Sequence, residues 1–392
     1  MCCARASRFR DRAMLTRRAT TKVHVSERRA LHCETFAYCA HPHLAVAADG
    51  TFLLVFNRAP RRSITLHPPQ DPEYRNVLMR SSDEGRSWSA PAVVPDYDWS
   101  GVECAGLTAL RDGRILLNQW RFEWLPLPLA RAIERHDLVM PDALMRDLVV
   151  SPELDVFAAG GEAAHQACSS ARGGGVCAVH CSDDGGRSFC HTARIDIAPF
   201  SGGYGMRGAI ELPDGDILLP LSDVPHYRTV FTVRSSDRGA RWSKPQLIAK
   251  GAGHAFEEPA GLLLPSGRVL VILRDNVSRV LHSIASDDHG ANWSAPVPTG
   301  IEAYPAHLLA LPSGVIACAA GRRAAPFGIV LHLSDDDGHS WGPPLTLIDD
   351  LPTKDLGYPT LARRANGELF VVYYARDAEG VTGIHSLTVR LS

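Results

Sequence analysis

No apolar run of about 18 residues occurs in the 392-residue chain, so no membrane-spanning helix is expected. Charge of one sign is also lacking: 41 Lys and Arg against 43 Asp and Glu leave a formal charge of -2. A surface built for nucleic acid or another polyanion is not indicated. The ten cysteines include no C-x-x-C pair, which excludes a zinc knuckle and a thioredoxin-like centre. A P-loop, a dinucleotide fingerprint after a strand and an H-E-x-x-H pair are absent too. No metal, nucleotide or other cofactor is expected, and no nucleic-acid or membrane partner. The first thirty residues are rich in arginine but contain no hydrophobic core of a secretory signal. Residues 1–33 therefore read as a disordered tail, the protein as cytoplasmic and its cysteines as thiols. The cluster Cys168, Cys177, Cys181 and Cys190 reads as small residues packed in a sheet, with a metal site as the alternative. His41 and His43 in "HPH" lack a third ligand.

What is abundant is repetition. "SSDEGRSWSAP" at residues 81–91 has four further copies, all fitting S-x-D-x-G-x-x-W with one Phe in the Trp position. Their aspartates, Asp83, Asp184, Asp237, Asp288 and Asp336, are spaced 101, 53, 51 and 48 residues apart. A period near fifty residues points to a propeller or solenoid.

A second repeat accounts for the long gap. Six apolar-turn-apolar segments carry Gly50, Gly113, Gly215, Gly267, Gly314 and Gly367 at the turn, mostly as Asp-Gly, Ser-Gly or Asn-Gly. Such turns join hairpin strands because glycine accepts positive φ. The first five hairpins are followed by a box at Gly-to-Asp distances of 33, 71, 22, 21 and 22, and the sixth by the strand "GIHSLTVRL". The pattern predicts an all-β six-bladed propeller of four-stranded antiparallel blades over residues 34–392. An insertion at about 120–175 falls in the second blade. It carries Trp120, Phe122, Trp124 and a short helix; the aromatics either pack on the propeller or line a site rim. The box Asp and Ser are expected to bond turn amides, and the Trp to fill the space between blades.

Counting nine residues back from each hairpin glycine gives His41, Cys104, Met206, Glu258, Pro305 and Tyr358, with Glu103, Glu257, Tyr304 and Arg207 adjacent. Polar groups at six equivalent strand starts converge on one spot, the channel mouth.

The boxes and their spacing resemble the sialidase (neuraminidase) superfamily of Asp-box, or BNR-repeat, propellers, over about residues 36–392. The resemblance implies boxes on the face away from the active site. It also implies a tyrosine nucleophile with a glutamate base, matched by Tyr358 in "GYPTL" and Glu258 in "FEEPAGLLLPSGRVLVILRDN". Arginines hold the substrate carboxylate in the family; Arg274 matches one, and Arg323 or Arg322 another. The first arginine is missing: "CAHPHL" puts Ala40 in its place and His41 next to it, and Arg58, Arg61 or Arg62 are possible substitutes. The family's acid/base aspartate is matched best by Asp71 in "PPQDPEYRN", with His67 and Glu73 as competitors. The implied activity is an exo-glycosidase removing a terminal acidic sugar, sialic acid or a relative, from a glycan. The alternatives are a polysaccharide lyase and a non-catalytic glycan binder. Substrate contacts are expected at Arg207, His41, Glu103 and Tyr304. The oligomeric state is not legible.

Overall fold

The structure, a computed structural model, describes residues 21–62, 65–95, 97, 99–144 and 169–392. Cys168 and much of the second-blade insertion lie outside these residues.

Six four-stranded antiparallel sheets are present. In each, a hairpin turns at one of the six glycines, which all have positive φ, as at Gly267 with φ 87°. The innermost strands are Ala37–Val46, Gly106–Ala109, Ile210–Glu211, Phe256–Leu263, Ala306–Ala310 and Leu356–Arg363. The second strands are the most buried; Val269–Asp275 is buried along its whole length. Such strands have both faces covered by neighbouring blades, hence their continuous apolar runs.

The sixth blade corrects the expected tail. Residues Val23–His32 form its outermost strand, pairing antiparallel with Thr382–Leu391 from Val23↔Leu391 to His32↔Ile384. The strand is mostly exposed and polar, which is why it reads as a tail. Val23 and Val25 nevertheless pack with Leu391 against the adjoining core. Residues 23–32 and 382–391 thus complete one sheet and close the ring.

The boxes behave as fasteners. In the first, Ser81 Oγ donates to Asp83 Oδ1 at 2.7 Å and accepts from Gly85 N at 2.8 Å, while Asp83 Oδ1 accepts from Ser87 N at 2.8 Å. Each box glycine lies against the second strand of the preceding blade. A Cβ on Gly85, Gly186, Gly239, Gly290 or Gly338 would press on Phe370, Leu53, Leu116, Leu218 or Leu270. Trp88 stacks on Phe370 at 6.3 Å between centroids. Because the boxes follow the third strands and the inner strands begin at the mouth, strand alternation puts boxes and mouth on opposite faces.

In the second blade the insertion extends the hairpin Ile115–Pro126 and Ser170–Ser182 on the mouth face, with a helix at Leu127–Ala132. Trp120 and Phe122 are buried, and Trp124 covers Gly101. These aromatics pack inward onto the propeller. The described cysteines are free thiols, and Cys177 and Cys181 are buried in the second blade.

Candidate active site

Three of the six inner strands carry the same irregularity at the mouth. The pairing register jumps between Ala40 and His43, Glu257 and Ala260, and Gly357 and Thr360. Within these bulges His41, Glu258 and Tyr358 have φ of 56°, 51° and 48°, and each precedes a proline, Pro42, Pro259 or Pro359. A bulge releases residues from the ladder, so proline loses no hydrogen bond there. Positive φ in a non-glycine residue costs energy and re-aims the side chain. The strain falls on the three side chains that meet over the channel.

Glu258, from the fourth blade, is their hub. Tyr358 Oη donates a short hydrogen bond to Glu258 Oε1, and Tyr204 Oη, from the third blade, donates to the same oxygen at 3.5 Å. Arg274 Nη1 donates to Glu258 Oε2 at 3.1 Å, and its Nε lies 3.3 Å from Glu257 Oε1. The Glu258 amide is held by Ser222 Oγ at 2.9 Å. Burial and the Glu258 charge push the Tyr358 phenol well above its ordinary range, so it holds its proton.

Cations surround this pair. Arg274 and Arg323 lie over the Tyr304 ring at 4.4 and 5.6 Å, and Arg323 lies 5.8 Å from the Tyr358 ring. Arg323 Nη2 approaches Tyr374 Oη at 3.5 Å. Arg322 turns away, its Nε bonding Pro326 O at 2.6 Å. Arg207, from the third blade, crosses the channel to Ala306 O at 2.8 Å and Pro42 O at 3.3 Å. It lies 5.9 Å from the Tyr358 ring, and its Nη2 is buried without a hydrogen-bond partner. Burial pushes the Arg207 guanidinium down to about 10, which leaves it charged at neutral pH.

Ala40 is fully buried opposite Asn57. Arg58 does not fill its place, since both oxygens of Glu34 hold it. His41 instead sets its ring edge against Tyr358 at 4.5 Å and against Tyr374 at 5.1 Å. Its Nδ1 is buried and unpartnered, and burial, with His67 and Arg323 nearby, holds it well below its ordinary range and neutral. His67, 6.0 Å from His41, is lowered in the same direction, mainly by burial. His43 lies deeper, its Nδ1 accepting Leu107 N at 2.9 Å.

Two further carboxyls line the mouth. Glu103 accepts from Tyr227 Oη at 2.5 Å and burial raises it to about 7. Glu257 accepts from Asn276 Nδ2 at 2.7 Å, and burial raises its carboxyl well above the usual carboxylate range. Asp71 is buried elsewhere. Arg62 takes both its oxygens, at 2.6 and 3.0 Å, and Glu73 lies at the exposed edge of that pair, 3.8 Å from Arg62. Asp71 lines a cavity between the first and sixth blades whose wall contains none of Glu258, Tyr358, Arg274 or Arg323.

Sequence reasoning missed Tyr204, Tyr227, Asp355 and Tyr374. Tyr374 had a legible signal. Seven residues after the hairpin glycines stand Asn57, Trp120, Ser222, Arg274, Gly321 and Tyr374, so Tyr374 is the sixth-blade counterpart of Arg274. Asp355 accepts from both Tyr374 and Tyr38 at 3.0 Å.

Among the described residues, two groups have metal-ligand composition. His254, Asp275 and His282 are close together, but Asp275 already accepts from Ala255 N, Val277 N, Ser278 Oγ and His254 Nδ1. In the group His32, Glu34 and Cys39, Arg58 occupies the carboxylate. Both carboxylates are committed to protein donors.

Six four-stranded blades, opposed box and mouth faces, and a Tyr-Glu-Arg cluster define a six-bladed propeller of the sialidase-like type. The chain belongs to the BNR repeat-like domain family, which it matches over residues 151–371. No curated protein matches it. Among solved structures, a Dyadobacter fermentans protein of unknown function is 24% identical with a TM-score of 0.78, over 94% of this chain and 99% of that one. A point mutant of the NanB sialidase of Streptococcus pneumoniae is 11% identical with a TM-score of 0.65, over 92% of this chain and 70% of that one. The leech intramolecular trans-sialidase is 16% identical with a TM-score of 0.62, over 92% and 70%. No helix among the described residues is long and apolar enough to cross a membrane.

Proposed function

We propose that the mouth is the active site of an exo-glycosidase that removes a terminal acidic sugar from a glycan. The observation that carries this reading is the Tyr358–Glu258 hydrogen bond flanked by Arg274 and Arg323. A neutral phenol is a weak nucleophile, so its base must take the proton during attack. Tyr358 Oη bonds to the anomeric carbon as its proton passes to Glu258 and the bond to the leaving oxygen breaks. Water then attacks the anomeric carbon and breaks its aryl glycoside bond to Tyr358 Oη; Glu258 returns the proton to Tyr358, and the water's proton passes to the carboxylate that protonated the leaving oxygen. Arg274 and Arg323 hold the sugar carboxylate, and the propellers sharing this fold include sialidases and a trans-sialidase.

The leaving oxygen needs a proton from a carboxyl that keeps one near neutral pH. We assign that role to Glu257, a mouth carboxyl that burial raises although Arg274 Nε lies 3.3 Å from its Oε1, in place of Asp71, which lines a separate cavity with both oxygens taken by Arg62. With a glycoside whose phenolic leaving group needs no acid, Glu257→Gln is expected to retain activity. On an unactivated glycan it should lose on the order of 10²-fold or more. Loss in Asp71→Asn, with Glu257→Gln unimpaired on both substrates, would return the role to Asp71.

A second reading is favoured by His41. A neutral imidazole against the tyrosine, with arginines nearby and none at position 40, is also the equipment for β-elimination from a uronic acid. There the carboxylate is neutralised by arginine, one group takes the C5 proton and Tyr358 protonates the leaving oxygen. The two readings are separated by incubating wild type, Tyr358→Phe and Glu258→Gln with sialosides and uronosides. Hydrolysis gives a free reducing sugar, lost on the order of 10²–10⁴-fold in both variants. An unsaturated product absorbing in the ultraviolet would establish elimination instead. Binding without turnover by wild type would make the propeller a lectin-like binder and refute both.

A further inference from the structure

The cavity between the first and sixth blades belongs to neither reading of the mouth. Its volume is about 270 Å³, and it is lined by Tyr38, Arg61, Arg62, Asp71, Tyr74 and Arg376, among others. That is room for one small ligand, just under the usual size range of ligand pockets. Its wall carries three guanidiniums and one carboxylate. Asp71 answers Arg62. Arg376 stands 4.0 Å from Asp355 Oδ2, with Nε buried and lacking a hydrogen-bond partner. Arg61 is exposed, with its Nη1 3.3 Å from Thr35 O, and lies over Gly380 of the sixth-blade hairpin. Beside Arg61, whose amide bonds Phe36 O at 2.8 Å, the Phe36 side chain is 87% exposed. Phe36 precedes Ala37 of the cavity wall, so it offers a flat apolar face just outside a wall that carries oxyanion donors, a combination suited to a charged saccharide.

We propose that this cavity is a second saccharide site that takes a sugar-borne oxyanion, a carboxylate or a sulfate. Arg61 and Arg376 hold the charged group and Phe36 stacks on the ring. The site does not depend on chemistry at the mouth, which is separated from it by the Tyr38–Asp355–Tyr374 chain of hydrogen bonds.

The test is calorimetric titration of the full chain with glucuronic acid, glucose 6-sulfate, glucose and inorganic sulfate. The two charged sugars are expected to bind at least about tenfold more tightly than glucose, the worth of one charge-assisted hydrogen bond. Their ranking shows which oxyanion the site prefers. Arg61→Ala, a surface change with little risk to folding, and Arg376→Ala should each weaken charged-sugar binding about tenfold. Phe36→Ala should weaken the sugars but not inorganic sulfate. Arg274→Ala at the mouth should leave this binding intact. The proposal is overturned if charged sugars bind no better than glucose, or if Arg274→Ala abolishes binding that Arg61→Ala leaves unchanged. Equal affinity for inorganic sulfate and glucose 6-sulfate would remove the saccharide from it.

Discussion

Glu103 shows how an ionisable residue reports its surroundings. It is almost fully buried, and burial raises its carboxyl to about 7 although Tyr227 donates to it. The unfolded chain releases this proton near the ordinary carboxyl range, at lower pH than the fold does. A raised folded value means stability that is whole below the unfolded pKa and is lost as pH rises through 7. Glu103→Gln keeps an acceptor for Tyr227 and removes the titration. Relative to wild type, the variant should gain stability between pH 5 and pH 8, by up to about 3 kcal/mol. Urea unfolding at the two pH values checks this, and a pH-independent difference would mean that Glu103 is not the group titrating. The same logic explains why Glu103 and Glu257 were legible as mouth residues but their protonation was not: position follows from the repeat, whereas protonation depends on tertiary burial, which raises both carboxyls against the lowering contacts from Tyr227, Asn276 and Arg274.

Bulge and box are two irregular elements built from similar hydrogen bonds and placed on opposite faces. The fourth-blade bulge is held by Ser222 Oγ on the Glu258 amide, and the fourth box by Ser286 Oγ, which accepts from Gly290 N at 2.7 Å. Both serines are buried. Replacing either with alanine strands a buried amide and is expected to cost about 1–3 kcal/mol. Only Ser222→Ala should also lower kcat, with the substrate KM little changed, because Ser222 positions Glu258 without touching substrate. Thermal melts and steady-state kinetics on the two variants separate the effects; equal kcat in both would deny the bulge its positioning role. The boxes were plain in the sequence because five copies share side chains that cap their own turn. The bulges were not, since "HP", "EP" and "YP" look like ordinary dipeptides until the register on the neighbouring strand shows two residues without partners. The converging mouth positions could be counted from the glycines, yet the second tier seven residues beyond them, with Tyr374, went unread. Its members range from glycine to tryptophan and show no common chemistry.

At the scale of the whole ring, one strand carries the closure. Blades one to five are continuous in sequence, so their hairpins and boxes announce them. The sixth takes its outer strand from more than 350 residues away, a pairing no local pattern reveals, and the strand's exposed polar face disguises it. That strand does more than cover an edge. Glu27 Oε2 accepts from buried Arg364 Nη1 at 2.8 Å, and Arg29 reaches Gly85 O of the first box, so the strand ties the sixth blade to the first. By contrast the Arg28–Asp350 pair is exposed and contributes little. A chain beginning at Glu34 would lose the ladder, uncover the apolar side chains beneath Val23 and Val25, and leave Arg364 without its carboxylate. Compared with a chain beginning at Thr21, it is expected to be less stable by roughly 3 kcal/mol or more, with a Tm lower by several degrees. The loss should reach the candidate active site, because Tyr358 stands on the innermost strand of the blade whose outer strand is removed. Supplying residues 21–33 as a separate peptide should restore part of both stability and turnover, as strand addition to an open edge does. Identical melting curves for the two chains would show that the ring closes without this strand.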